Sequence, residues 1–151
     1  MDSLRFLCRG KRKEDGEWFF GVPLRLGDYT LIVDGPIDFD EDFCQLEYWW
    51  AIDPDTLGQS TGLLAAKSYR GDGERERITF EGDIVRCSRG CPHEVIWLQE
   101  YGGRNMLDIG GMPAFYLSGL LPGYAWTGSE EIIGNRWDHP ELMGGVANGT
   151  T

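Results

Sequence analysis

The chain is cut from end to end into short apolar runs separated by turn residues, and that segmentation confines it to a β fold. The runs are Leu4–Cys8, Trp18–Val22, Tyr29–Val33, Cys44–Ile52, Ile84–Cys87, Val95–Leu98, Met106–Ile109, Phe115–Leu117 and Glu130–Ile133, with Gly, Pro and Asp between them. Strands need runs of this length, and their spacing is that of a barrel or sandwich. Six Trp, six Tyr and seven Phe against 22 Gly agree with this, because aromatic side chains suit a pleated, half-buried surface and glycine serves tight turns. With 151 residues, 41% of them apolar, the chain can build one domain with a proper core or two very small ones.

Local signals refine the pattern. The first two runs form a hairpin around Lys11–Gly16, with Asp15-Gly16 as its turn, and Asp34-Gly35-Pro36 stops the strand that ends at Val33. Over Asp38–Ile52 helical spacing (Phe39, Phe43, Leu46, Trp50) competes with alternation (Cys44, Leu46, Tyr48, Trp50, Ile52). The Tyr48-Trp49-Trp50 triplet and the Asp53-Pro54 stop favour a strand from about Gln45, behind an acidic loop or single helical turn. Lys67–Arg77, hydrophilic around Gly71-Asp72-Gly73, reads as a mobile hairpin tip. Asp138 is placed to cap a short helix starting near Pro140, and the chain frays from Gly144.

The formal charge of −11 argues against sequence-independent nucleic-acid binding, which rests on phosphate neutralisation by Lys and Arg. Its distribution is uneven. Arg5, Arg9, Lys11, Arg12 and Lys13 make a basic lip, whereas residues 26–66 hold many Asp and Glu and no Lys or Arg, a flank that reads first as a solvated surface keeping the protein soluble and, more sharply, as a surface for a basic partner. No apolar run reaches the ~18 residues that span a bilayer. The opening MDSLRFLCRGKRKEDG has no apolar core of signal-peptide length, so a cytoplasmic chain with reduced, mostly buried thiols at Cys8, Cys44, Cys87 and Cys91 is expected.

Candidate chemistry is sparse. Glu81 and Asp83 flank Gly82, but no nucleophile or base accompanies them, and a turn feeding a buried strand accounts for them better than a carboxylate pair. Cys87, Cys91 and His93, with Cys44 as a fourth, are zinc-type ligands, yet the spacing supplies one pair where structural zinc sites use two. His139 lies beside Asp138 and Glu141, an acid–base combination on paper, but entry into the Pro140 helix explains it better. Gly102-Gly103 and Gly110-Gly111 open no helix and so lack a phosphate cradle. Trp49, Trp50, Trp97, Trp126 and Trp137 could stack on bases, or belong to cores and contacts, and the acidity of the chain favours the latter. No catalytic residue, cofactor or metal is expected.

Three motifs remain, in fixed order: LGQSTGL at Leu57–Leu63, FEGDIV at Phe80–Val85 and EIIGNRWDHPELM at Glu131–Met143. In that order, and with Leu4-Arg5-Phe6, Arg9-Gly10-Lys11-Arg12 and Asp15-Gly16-Glu17-Trp18 ahead of them, the chain resembles the YopX family, small proteins of bacterial phages and prophages with no established biochemical activity. Two features depart from that pattern: Leu64–Thr79 is longer than the family's short turn, and Arg136-Trp137-Asp138-His139 replaces its more usual residues. The resemblance implies a mainly β protein with an N-terminal β subdomain at 1–56 and a C-terminal SH3-like barrel at 57–151. It makes Gly134 a structural glycine, expected at a bend of positive φ. The functional expectation is a non-enzymatic interaction or regulatory protein of the bacterial host cytoplasm, binding a host or phage protein. The alternative is a nucleic-acid-associated factor of phage replication or expression, using the basic lip with Arg136 and Trp137. A homo-oligomer is expected from the aromatic content and from strand edges at Leu4–Cys8 and Cys44–Ile52.

Overall fold

The computed structural model describes residues 6–98, 114–119 and 130–144, and these form eleven β-strands joined by turns and short 3-10 segments, with no α-helix among them. The protein is mainly β. The strand expected at Met106–Ile109, the two glycine pairs, Trp126, Leu4, Arg5 and the tail beyond Gly144 lie outside the described residues. Two compact units divide the chain, residues 1–60 and 61–151.

In the first unit the strands run in the order β4-β3-β2-β1-β5, all neighbours antiparallel: β1 (Cys8–Lys11), β2 (Trp18–Leu26), β3 (Tyr29–Phe39), β4 (Cys44–Ala51) and β5 (Gly58–Leu64). The first strand lies later than the apolar run Leu4–Cys8 suggests, and it is internal, between β2 and β5, so it offers no open edge. Its charged residues hid it. Arg9 is buried with its guanidinium 4.8 Å from the Trp18 ring centre, and the Lys11 ammonium lies 5.6 Å from the same ring; long cationic side chains spend their methylenes on apolar surface while reading as loop in a sequence. Asp34-Gly35-Pro36 is a bulge, not a stop. Pairing of β3 with β4 shifts register between Asp34 and Ile37 and resumes at Ile37 opposite Leu46, since a bulge absorbs extra residues, including a proline without an amide proton, without ending the ladder. The strand expected from Gln45 is β4, on the edge of the sheet. One core forms around Cys8, Ile32 and Ile52, against which Phe19, Trp50 and Leu57 pack, with the Phe19 and Trp50 rings stacked at 4.3 Å.

Past Ser60, β5 runs on into the second unit, where it neighbours β7 (Ile78–Phe80). Neither strand stands out in the sequence: GQST is polar, and Ile78–Phe80 is three residues long. The five-stranded sheet of this unit has the order β10-β9-β8-β11-β6, from β6 (Lys67–Ser68), β8 (Asp83–Arg86), β9 (Pro92–Leu98), β10 (Ala114–Leu117) and β11 (Glu131–Asn135). Only the β6–β11 pair is parallel. Val85, Val95, Leu117, Ile132 and Ala65 form its core. Both sheets are open among the described residues.

Four further expectations are corrected here. Lys67–Arg77 is not a loose tip: it supplies β6, and Arg70 and Arg77 reach back to donate to backbone carbonyls of Glu76, Ile78, Asp72 and Ala65. Gly134 sits in β11 outside the positive-φ glycines, and what forbids a side chain is space, since a Cβ would come within 2.6 Å of Leu142 and 2.8 Å of His139. Asp138 caps nothing at the 3-10 turn Pro140–Met143; it accepts instead from the Asn135 side chain at 3.2 Å. Of the four reduced thiols only Cys8 is buried, while Cys44 and Cys91 are exposed.

Candidate functional site

The three motifs converge on structure within the second unit. Thr61 Oγ donates to the Thr79 carbonyl at 2.9 Å, fastening β5 to β7. Glu81-Gly82 turns β7 into β8, and Asp83, fully buried, accepts from the Phe80 amide at 2.8 Å and from Arg70 Nη1 at 3.1 Å. Gly82 has φ +90°, and a Cβ there would come within 2.4 Å of the Trp137 ring, so both its backbone and the indole above it require glycine. The Arg136 amide donates to the Gly82 carbonyl at 2.9 Å, tying the second motif to the third.

Asn135 is the centre of that third motif. Fully buried, it accepts the Trp137 and Asp138 amides at 3.0 and 2.9 Å and donates to Tyr69 Oη and Asp138 Oδ2 at 3.0 and 3.2 Å. His139 Nδ1 accepts the Asn135 amide at 3.2 Å, and the His139 ring meets Tyr69 edge-on at 5.2 Å. These groups are occupied in holding the chain reversal before Pro140; the acid–base reading of His139 with Asp138 and Glu141 has no such geometry. Sequence reasoning gave Asn135 and Arg70 no role of their own, although an Asn side chain that bonds the backbone two residues on, as Asn135 does to the Trp137 amide, is the general behaviour of an Asx turn.

The acidic pair is spread differently from the motif. Glu94 on β9 sits 3.4 Å from Arg136, and its carboxyl is raised above the usual value by burial, with Arg136 opposing and the Glu81 charge adding to the rise. No nucleophile joins them. No group of three Cys, His, Asp or Glu side chains could hold a metal ion among the described residues, and Cys44 belongs to the first unit. Of the tryptophans, Trp49 and Trp50 are in the first unit, Trp97 packs edge-on with Phe115 at 5.1 Å, and Trp137 lies under the Arg136 guanidinium. Of the basic lip, Arg9 is buried and lies with Lys11 over the Trp18 ring, and Arg12 is bonded to Asp15 at 2.6 Å, which holds that carboxyl down at about 2.

An open apolar surface does exist, on the first unit's sheet. Directly paired residues share a face, which puts Val22, Val33 and Trp49 in one row, Leu24, Leu31 and Ala51 in the next, and Leu26 with Tyr29 in a third. Leu31 and Val33 in the middle strand are buried by their neighbours, but Val22 is 54%, Leu26 52%, Tyr29 67% and Trp49 53% exposed. The other face of the same strands carries the core residues Ile32 and Trp50. An antiparallel sheet needs only one apolar face to fold, so a second one left open marks a contact surface. At its end a cavity of about 530 Å³ is lined by Tyr29, Trp49, Trp50 and Pro54 together with the charged Arg12, Lys13, Glu14 and Asp28. Edge strand β4 borders the face, exposed along nearly its whole length.

Comparison of the chain with protein-family models, curated proteins and solved structures returned no match.

Proposed function

We propose that the protein is a non-enzymatic interaction protein that takes up an extended, basic segment of a host or phage protein along β4. The observation that carries this reading is the open face of Val22, Leu26, Tyr29 and Trp49 beside an unpaired edge strand. An edge supplies main-chain hydrogen bonds to an added strand, and the alternate side chains of that strand find the apolar face. Charge sets the sign of the partner: Asp40, Glu41, Asp42, Glu47, Asp53 and Asp55 lie on or beside β4, and no Lys or Arg occurs from 26 to 66. A lysine or arginine of the segment would sit over Trp49 or Tyr29, with Glu14 and Asp28 offsetting the Arg12 and Lys13 that line the same cavity, Arg12 being already paired with Asp15. The order of the three motifs supports a YopX-like protein of the bacterial cytoplasm with a small SH3-like barrel in its second unit, and no helix of the described residues is long and apolar enough to cross a membrane. The same edge also admits a second copy of the chain, which is the rival occupant and the basis of a homo-oligomer.

The test uses synthetic strand-forming peptides, one alternating lysine with valine and one alternating glutamate with valine, titrated against the full chain by isothermal calorimetry. The basic peptide is expected to bind, Trp49→Ala to weaken it by about tenfold, the size of one truncated aromatic anchor, and raised salt to weaken it further. Equal binding of both peptides, or of neither, overturns the proposal.

A further inference from the structure

The hairpin joining β8 and β9 carries a feature that docking does not use. Its register sets Arg86 opposite Pro92 and Val85 opposite His93, so Cys87 and Cys91 face each other one step further on. The Cys87 amide donates to the Cys91 carbonyl at 3.0 Å, and the Gly90 amide, from a residue with φ +87°, donates to the Cys87 carbonyl at 2.8 Å. This is a three-residue loop closed by a glycine bulge. Residues directly opposed on antiparallel strands stand about 4.5–5.5 Å apart at Cα, inside the roughly 4.4–6.8 Å that a disulfide spans. Alternation puts Val85, Cys87, Cys91 and His93 on one face.

His93 completes the group. It is 7% exposed, and its Nδ1 lies 2.7 Å from the Ser118 carbonyl, which only accepts, so Nδ1 carries the proton and Nε2 presents its lone pair. Nε2 is buried without a hydrogen bond of normal geometry among the described residues. A buried imidazole nitrogen is costly to leave unsatisfied, and the thiols on the same face of the hairpin are Cys87 and Cys91. The His93 imidazole is the largest influence on the Cys87 thiol, and with the amides of Arg89 and Cys91 it brings Cys87 from an ordinary value near 9 to about 7, against the opposing effect of burial. Charged side chains nearby on the flanking segments are Arg86, Arg89 and Glu130, the last at the register position next to Cys87 on the β11 side.

We propose that Cys87 and Cys91 form a hydroperoxide-reactive dithiol, in which Cys87 is the nucleophile and Cys91 closes a disulfide across the hairpin. Cys87 gives its proton to His93 Nε2 and its thiolate attacks the terminal oxygen of the hydroperoxide. The O–O bond breaks, an S–O bond forms, and the departing alkoxide or hydroxide takes the proton back from His93, leaving a sulfenic acid and an alcohol or water. The exposed Cys91 thiol then attacks the Cys87 sulfur; the S–S bond forms, the S–O bond breaks, and the hydroxide leaves as water with the Cys91 proton. Two thiols are oxidised and one peroxide is reduced. His93 acts as the positioning and proton-holding residue.

The experiment treats the reduced full-length chain with one equivalent of hydrogen peroxide and reads it by intact mass and non-reducing peptide mapping. The expected product is lighter by about 2 Da, the loss of two hydrogens on disulfide closure, with Cys87 joined to Cys91. In Cys91→Ser a sulfenic acid trappable by dimedone accumulates at Cys87. Iodoacetamide alkylation of Cys87 against pH should have a midpoint at about 7, and at pH 7 Cys87 should react about threefold or more faster than exposed Cys44, the greater thiolate fraction being partly offset by lower intrinsic nucleophilicity. His93→Gln should raise that midpoint and slow the reaction, while far-ultraviolet circular dichroism shows the variant folded. Oxidation without a Cys87–Cys91 link, or Cys44 reacting as fast as Cys87, overturns the proposal.

Discussion

Asn135 shows how much one buried amide can carry. Both of its side-chain donors and its acceptor oxygen are in use, and the backbone reversal at Arg136–Asp138 has no other polar group of the same side chain to lean on. Asn135→Ala takes this partner from the Trp137 and Asp138 amides and the Tyr69 hydroxyl, which are part-buried, Tyr69 being 45% exposed, so each sits toward the lower end of the about 1–3 kcal/mol that a buried unsatisfied group costs. A loss of roughly 2–4 kcal/mol is expected in urea denaturation, since reorganisation recovers part of the sum. A loss below about 0.5 kcal/mol would show that water replaces the amide and that the residue is not the keystone. The neighbouring Gly134 was legible as structural from its place in a motif, but not for its cause. Sequence suggests positive φ wherever glycine recurs, while the crowding by Leu142 and His139 that excludes a side chain arises only when the following 3-10 turn folds back over the strand.

At the scale of elements, sequence legibility followed hydrophobic periodicity and failed where polar residues form strands. Alternation with strong β-formers disclosed β4, whose competing helical spacing lost, and the apolar runs located β2, β8, β9 and β11. Nothing comparable marks β1, whose Arg9 and Lys11 lie on Trp18, or β5, whose Ser60 is buried and bonded through its amide to the Leu7 carbonyl. The hydrophilic stretch Lys67–Arg77 is the largest such failure. It folds because Arg70 reaches the buried Asp83 carboxylate and the Glu76 and Ile78 carbonyls, a non-local arrangement between residues thirteen apart. Arg70→Met removes the cation while keeping much of the length, leaving Asp83 as a buried carboxylate without its salt bridge. Breaking one side of a buried pair costs about 3–5 kcal/mol, so the variant should unfold at markedly lower denaturant or fail to fold. Restoration of stability in the Arg70→Met, Asp83→Asn double variant would locate the loss in the stranded charge. A single variant as stable as the parent protein would mean that the stretch is held by other contacts.

For the molecule as a whole, the open β4 edge and the net charge of −11 pull in opposite directions. An exposed strand bearing Tyr48 and Trp49 invites pairing with its own copy. Two β4 strands joined antiparallel about a two-fold axis would, however, bring the Asp40–Asp42 turn of one copy beside Asp53 and Asp55 of the other, at both ends, with Glu47 near the middle. Repulsion between exposed charges reaches about 30 Å at 0.01 M salt and about 8 Å at 0.15 M. Self-association should therefore depend on ionic strength. Light scattering is expected to give the monomer mass of 17.0 kDa at low salt and a rising mass as salt is added, the opposite trend to the binding of a basic peptide at the same edge. Trp49→Lys should block the rise by breaking the apolar face beside the edge, and saturation with the lysine–valine peptide should block it by filling the edge itself. A mass that stays monomeric at every salt and protein concentration would eliminate the homo-oligomer and leave the basic segment as the sole occupant, whereas a dimer already complete at low salt would show that acidic repulsion does not govern β4 and would remove the charge argument for a basic partner.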